Sequence, residues 1–160
     1  AMAAGFEKVF EVGPVFRAEL SFTSMHATEF VGYDLEMSYI ESHRDVMAEE
    51  EMLLRHVIKK IKDRYGAEIK ETFGVVVEEP KIPFPSLTMR EAKKILKDLK
   101  VESKSEDLSS EEEKKISEYV KEKEKHDFVF ITDYPAEARP FYHMRNERDS
   151  SLTKSFDLLW

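Results

Sequence analysis

Read at a two-residue period, the stretch from Val9 to Ser38 sorts its chemistry to one side. In VFEVGPVFRAEL the set Phe10, Val12, Pro14, Phe16, Ala18 and Leu20 faces a core, which leaves Glu11, Gly13, Val15, Arg17 and Glu19 opposite. After the polar connection SFTSMH, the segment EFVGYDLEMSY alternates again. Val31, Tyr33, Leu35, Met37 and Tyr39 fall on the apolar side, and Phe30, Gly32, Asp34, Glu36 and Ser38 on the other. A solvated strand face rarely combines an aromatic ring, a glycine and two spaced carboxylates. A floor that stacks a flat ring and comes close to a polar ligand wants that mixture. Arg17 adds a permanently charged planar donor fork, able to bridge a carboxylate and a phosphate at once. The plain alternative is an antiparallel pair with one wet face.

The elements that must position this face follow from caps and periodicity. Ser42 caps a helix from His43 to about Tyr65, stopped by Gly66, with Met47, Leu54, Ile58, Ile61 and Tyr65 as its apolar stripe and Val46, Leu53 and Val57 beside it. FGVVVEEPKIPFPS reads as a short strand followed by an extended segment, because Pro80, Pro83 and Pro85 fix φ and remove donors. Thr88 and Glu91 have capping-box spacing for a helix to Leu99 that buries Ala92, Ile95, Leu96 and Leu99. Ser110 with Glu113 opens another, to about Lys125, and the polar VESKSEDLSSEEEKK between them reads as a surface excursion. From Asp127 the pattern turns β-rich: DFVFITDYP, then RPFYHMR and SFDLLW as two further strands around a polar turn at Asn146 to Ser151. The fold class is therefore α+β, an antiparallel sheet flanked by helices.

The bulk numbers bound the function. The 160 residues, 41% hydrophobic and 36% charged, suffice for one domain with a core. No apolar run approaches the roughly 20 residues that cross a bilayer, and AMAAGFEKVF lacks the basic-then-apolar pattern of a signal sequence. The absence of cysteine removes disulfides and thiolate metal sites and fits a reducing, cytoplasmic setting. A net charge of −8 argues against a general nucleic-acid coat, leaving room for a local contact. There is no P-loop, glycine-rich dinucleotide fingerprint or internal repeat.

The run GPVFRAELSFTSMHATEFVGYDLEM resembles motif 2 of the class II aminoacyl-tRNA synthetases, and in detail that of the aspartyl-tRNA synthetases of archaeal and eukaryotic type. The quoted elements are FRAE at Phe16 to Glu19, a loop ending in His26, then Glu29 and Phe30, then D-x-E-M ending in Met37. A looser resemblance continues through PFPSLT, YPAEARPFYHMR and SFDLLW, so it covers nearly the whole chain. It implies part of a class II catalytic core: motif 2 at 9–38, a helical excursion at about 86–126 and strands returning to the sheet over 127–160. The activity it implies is ATP-dependent activation of aspartate to aspartyl-adenylate and transfer to tRNA, with ATP and Mg2+ as cofactors and, in the whole enzyme, a homodimer. The missing motifs 1 and 3 and the missing anticodon-binding barrel make the chain read as a fragment, inactive in isolation.

By the same resemblance Arg17 contacts the α-phosphate and the reacting carboxylate and is the catalytic residue, and Phe30 stacks the adenine. Asp34, supported by Glu36, holds the substrate's ammonium group. Glu19 lies near the adenosine and the tRNA end, which Ser21, Thr23 and Ser24 also approach. His26 lies near the triphosphate tail, unless it is simply a solvated or capping histidine. Asp157 matches the aspartate just upstream of the family's metal-binding glutamate; that glutamate lies beyond Trp160, so no metal site is expected within the chain. Arg139 reads either as a second anion contact or as a strand-edge surface charge. Met25 departs from the pattern, standing where the family has an arginine on the γ-phosphate, a contact worth about 1.5–3 kcal/mol. Asp34 within GYDLEM favours aspartate over asparagine. Two rivals share the motif: a paralogue that passes activated aspartate to ammonia, as an asparagine synthetase, and a non-catalytic interaction protein that keeps the fold.

Overall fold

The computed structural model describes residues 1–18, 27–103 and 105–160, and the chain divides into two compact units, Ala1–Glu41 and Ser42–Trp160. The first unit opens with a 3-10 turn, Met2–Ala4, closed by Gly5 in the left-handed region at φ 96°. Two nine-residue strands follow, β1 (Lys8–Phe16) and β2 (Glu29–Met37), paired antiparallel. Their register sets Val15 opposite Phe30, Gly13 opposite Gly32, Glu11 opposite Asp34 and Val9 opposite Glu36. These pairs share one face, as the alternation requires. The apolar face is a different matter. Phe10, Phe16 and Val31 are 67%, 70% and 71% exposed, and Val12 and Tyr33 are exposed too, so the set read as core-facing is not buried. A two-stranded ribbon cannot cover its own apolar side; its rings only meet each other, Phe10 and Tyr33 stacking at 5.7 Å.

In the second unit Ser42 caps α1 (His43–Phe73) in a capping box completed by Asp45. The helix runs past Gly66 and ends at Gly74, in the left-handed region at φ 69°, because an isolated glycine inside a long helix costs only about 1 kcal/mol. Only its first half is packed: Met47 is buried and Leu54 and Ile58 lean on the core, while Ile61 and Tyr65 are exposed. The expected strand after it is absent; residues 74–80 have no regular structure. Next come β3 (Ser86–Thr88), α2 (Met89–Asp98), α3 (Ser110–Glu124), β4 (Val129–Thr132) and β5 (Phe156–Leu159). The Thr88–Glu91 box forms as read. The α3 box is Ser109 with Glu112, one residue earlier than Ser110 with Glu113. Leu99 lies at the end of α2 and is exposed rather than buried.

The sheet order is β3-β4-β5, with β3 parallel and β5 antiparallel to β4, so this sheet is mixed rather than wholly antiparallel. All four residues of β4 are buried, and the two faces divide them. Val129 and Ile131 join Ala92, Leu96, Ile116 and Val120 under α2 and α3, whereas Phe130 joins Phe84, Phe128 and Met47 on the side of α1. A strand covered on both sides reads as the unbroken apolar run FVFI. RPFYHMR is not a strand. It holds a turn and a single bridge, Arg145 to Thr153, since Pro140 denies the ladder a donor.

Lys93 of α2 fastens the excursion between the helices. Its Nζ donates to Ser103 Oγ, to the carbonyls of Ser105 (3.0 Å) and Asp107 (2.8 Å), and to Glu112 Oε1 (3.2 Å). Burial alone would raise the Glu112 carboxyl, but hydrogen bonds from Ser103, from the Ser109 backbone and hydroxyl and from Lys93 outweigh it and hold it at about 2. A carboxyl lowered on folding adds stability above its unfolded value, near 4.5, that disappears as pH falls toward 2. Glu112→Gln is expected to cost about 1–3 kcal/mol near neutral pH. In urea denaturation the gap from the wild type should close as pH drops below about 4; a gap independent of pH would contradict this account.

Candidate active site

The candidate residues of the first unit lie along one face of the β1–β2 ribbon. The Arg17 amide donates to Thr28 O at 2.9 Å, so the pairing continues one step beyond β1 and holds this residue at the open end of the ladder. Its exposed guanidinium sits 5.2 Å from the centre of the half-buried Phe30 ring. Then come the paired glycines Gly13 and Gly32, a gap without side chains. Beyond the gap stand Glu11 and Asp34, directly opposite each other, and then Glu36. The face therefore offers a cation and a ring at one end, a glycine trough partly covered by the Val15 side chain, and a carboxylate pair at the other. Glu11 was missed as a site residue because its nearness to Asp34 depends on register, which neither strand's sequence states alone.

Gly32 has a specific reason to be glycine. A Cβ there would lie 2.8 Å from Val15 Cγ2 and 3.4 Å from Asp34 Oδ2, so a side chain would press on a stiff β-branched neighbour and fill the trough. Glu19, Ser21, Thr23, Ser24 and His26, with Met25, lie outside the described residues.

In the second unit Asp157 is the second residue of β5, across from Ile131. Its Oδ2 accepts from Arg139 Nη2, with the aspartate side chain 43% and the arginine 16% exposed. Arg139 follows a 3-10 turn, Ala136–Ala138, and its guanidinium carbon lies 3.6 Å from the centre of the Tyr134 ring. Burial works against the Arg139 charge, but the hydrogen bond and charge of Asp157 more than compensate. Burial, then the charge of Asp157, raise the Tyr134 hydroxyl. The carboxyls of Glu50 and Glu113 are likewise raised, by burial first and by Asp157 second. Arg139 is thus not a strand-edge surface charge, and its guanidinium is paired with Asp157.

The sequence pattern of the tRNA synthetases class II (D, K and N) matches residues 1–160. The chain belongs to that family. The aspartate–tRNA(Asp/Asn) ligase of Aeropyrum pernix is 43% identical over the whole chain, which covers 37% of that protein. Among solved structures, the aspartyl-tRNA synthetase of Entamoeba histolytica superposes with a TM-score of 0.88 at 34% identity, over 99% of this chain and 33% of its own. The asparaginyl-tRNA synthetase of Pyrococcus horikoshii, complexed with asparaginyl-adenylate, gives 0.86 at 28% identity, over 98% and 36%. The chain thus spans about a third of the relatives it matches. These likenesses bear out the α+β class II core.

Class II synthetase chemistry implies Mg2+. Among the described residues no three His, Asp or Glu side chains converge on a metal position. Magnesium, however, is commonly held by one or two carboxylates together with substrate phosphates, and the half-exposed Asp157 fits as one such carboxylate.

The glycine trough can be tested apart from any reaction. Gly32→Ala should speed amide hydrogen exchange across Phe30–Tyr33 by about tenfold, the equivalent of some 1–2 kcal/mol of overpacking. Adding Val15→Ala should restore most of the protection. Unchanged exchange in the single variant would show that the trough is not tight.

Proposed function

We propose that the chain serves aspartate–tRNA ligation, forming aspartyl-adenylate from aspartate and ATP and passing the aspartyl group to tRNA. The observation that carries this reading is the shared face of Arg17, Phe30 and Asp34 on β1 and β2. The names of the similar proteins support the same direction: among solved structures the aspartyl-tRNA synthetase of Entamoeba histolytica is 34% identical and the asparaginyl-tRNA synthetase of Pyrococcus horikoshii 28%.

In the first step a carboxylate oxygen of aspartate attacks the α-phosphorus, the bond from that phosphorus to the bridging oxygen breaks, and pyrophosphate leaves with the electron pair. Two anions meet, so positioning and charge neutralisation supply most of the acceleration. Arg17 binds the α-phosphate and the attacking carboxylate in one planar fork. Phe30 offers its ring to the adenine. Asp34, with Glu36 next to it on the face, attracts the ammonium group of the amino acid and strengthens as water leaves. Glu19, Ser21, Thr23 and Ser24 serve the tRNA end, Glu19 and His26 the nucleotide. Asp157 is assigned to the ATP side by its place in SFDLLW. Magnesium, when bound, neutralises phosphate charge. Cytoplasmic location and a homodimeric whole enzyme complete the proposal, and no described helix is long and apolar enough to cross a membrane.

The test is aspartate-dependent exchange of labelled pyrophosphate into ATP by the full-length protein, together with aspartylation of tRNA. Arg17→Ala should reduce exchange by at least about a hundredfold, the equivalent of losing one or two charge-assisted contacts. Arg17→Lys should recover little, because an ammonium cannot span both anions. Near-normal turnover in either variant removes Arg17 from this role. Exchange without tRNA charging would favour the ammonia-using paralogue.

A further inference from the structure

Sequence left Arg139 between two readings, and the structure gives it a third place. Its guanidinium sits over the ring of Tyr134, a residue 1% exposed, and reaches Asp157 with a single nitrogen. Tyr134 is itself anchored. Its carbonyl accepts from the Thr153 amide at 2.9 Å and from Thr153 Oγ1 at 3.1 Å, and that hydroxyl meets Ser155 Oγ at 2.7 Å. Thr153 and Ser155 are buried and lead directly into β5, so the platform under Arg139 and the strand bearing Asp157 are held by one set of bonds.

We propose that Arg139, stacked on Tyr134, is a positioning residue that aims the Asp157 carboxylate for nucleotide binding; this rests on the aspartate-activating reading above. Three observations favour aiming over mere stabilisation. Arg139 engages Oδ2 alone, where an arginine fork could clasp both oxygens, so the guanidinium does not occupy the whole carboxylate. Its Nε is buried with no hydrogen-bond partner among the described residues, a cost that an ordinary surface pair avoids by leaving Nε in water. Finally, Glu50 of α1 and Glu113 of α3 both feel the charge of Asp157, and Arg139 is the cation hydrogen-bonded to that carboxylate. Arg139 holds the Asp157 carboxylate in place, while the 43% exposure of the aspartate keeps it reachable.

The experiment uses the full-length protein with Arg139→Met, Arg139→Lys, Tyr134→Phe and Asp157→Asn, read by pyrophosphate exchange and by calorimetric titration of ATP at low and high magnesium. Arg139→Met should raise both the ATP KM and the magnesium concentration for half-maximal exchange by about tenfold. The aspartate KM should stay unchanged, and kcat should return to within about threefold once ATP and magnesium saturate. Arg139→Lys should recover most of the effect, and Tyr134→Phe, which keeps the ring but removes a hydroxyl bonded to Asp157, should show a smaller shift in the same direction. Arg139→Met should add nothing in the Asp157→Asn background, since both act through one carboxylate. A lowered Tm with unchanged magnesium dependence, or full additivity with Asp157→Asn, would make Arg139 structural only and overturn the proposal. The calorimetric arm separates the two readings. If the wild type exchanges normally and Arg139→Met binds magnesium-ATP as the wild type does, the positioning role falls alone. If the wild type shows no aspartate-dependent exchange, the reading of the reaction falls, and the positioning role for aspartate activation falls with it.

Discussion

Two strands that alternate in step share a face only in one register, and β1 with β2 is held in the register that sets Gly13 against Gly32. A slip by one residue would turn Arg17, or else Phe30 and Asp34, to the opposite side. The same slip would bring a side chain into the gap that a Cβ on Gly32 already overfills against Val15. The glycine pair therefore does two jobs: Gly32 makes room for the Val15 side chain, and the pair penalises the wrong register. What the ribbon does not do is bury itself. Phe10, Phe16 and Val31 stay exposed because two strands have no second layer.

The second unit solves that problem in the usual way, with helices on both sides of a short sheet. β4 is sealed on both faces, so the strand that pairs with β5 has no freedom to shift, and Asp157 inherits that rigidity through its pairing with Ile131. The excursion from α2 to α3 is fastened by a charge. Lys93 sits among oxygens of Ser103, Ser105, Asp107 and Glu112 much as a bound cation would. The sequence VESKSEDLSSEEEKK shows only acidity there, but its backbone carbonyls are what the ammonium needs.

How much of this was legible depends on whether a feature is local. The Ser42 and Thr88 boxes are local bonds between residues three apart, and both form as read. The α3 box slipped by one because Ser109 and Ser110 are each followed at the right distance by a glutamate, and it is Glu112 that the distant Lys93 and Ser103 side chains engage. Burial was less legible. Alternation told which residues share a face of the ribbon but not whether anything covers it, and apolar spacing in α1 continued beyond the part that reaches the core. RPFYHMR looked like a strand by composition, yet Pro140 and the turn around it leave only one bridge. The ribbon face itself was legible because period and residue type suffice to define it, whereas its Glu11–Asp34 pairing was not, since register belongs to two strands at once.

The two arginines show the limit most clearly. In sequence both are lone cations near aromatic residues, and both were candidates for anions. Arg17 is exposed and meets the Phe30 ring, a cation–π contact worth about 0.5–1 kcal/mol at such a site. A phosphate or carboxylate offers about 1.5–3 kcal/mol for each charge-assisted hydrogen bond, so an arriving anion wins the guanidinium from the ring. Arg139 also lies on a ring, but it is largely buried and holds a carboxylate. Removing it would leave the Asp157 carboxylate without this partner, on the order of 2–4 kcal/mol for a partly buried pair. An incoming anion would have to exceed that before it gained anything. The same side chain is thus available in one place and committed in the other, and the difference lies wholly in what the fold has already set beside it.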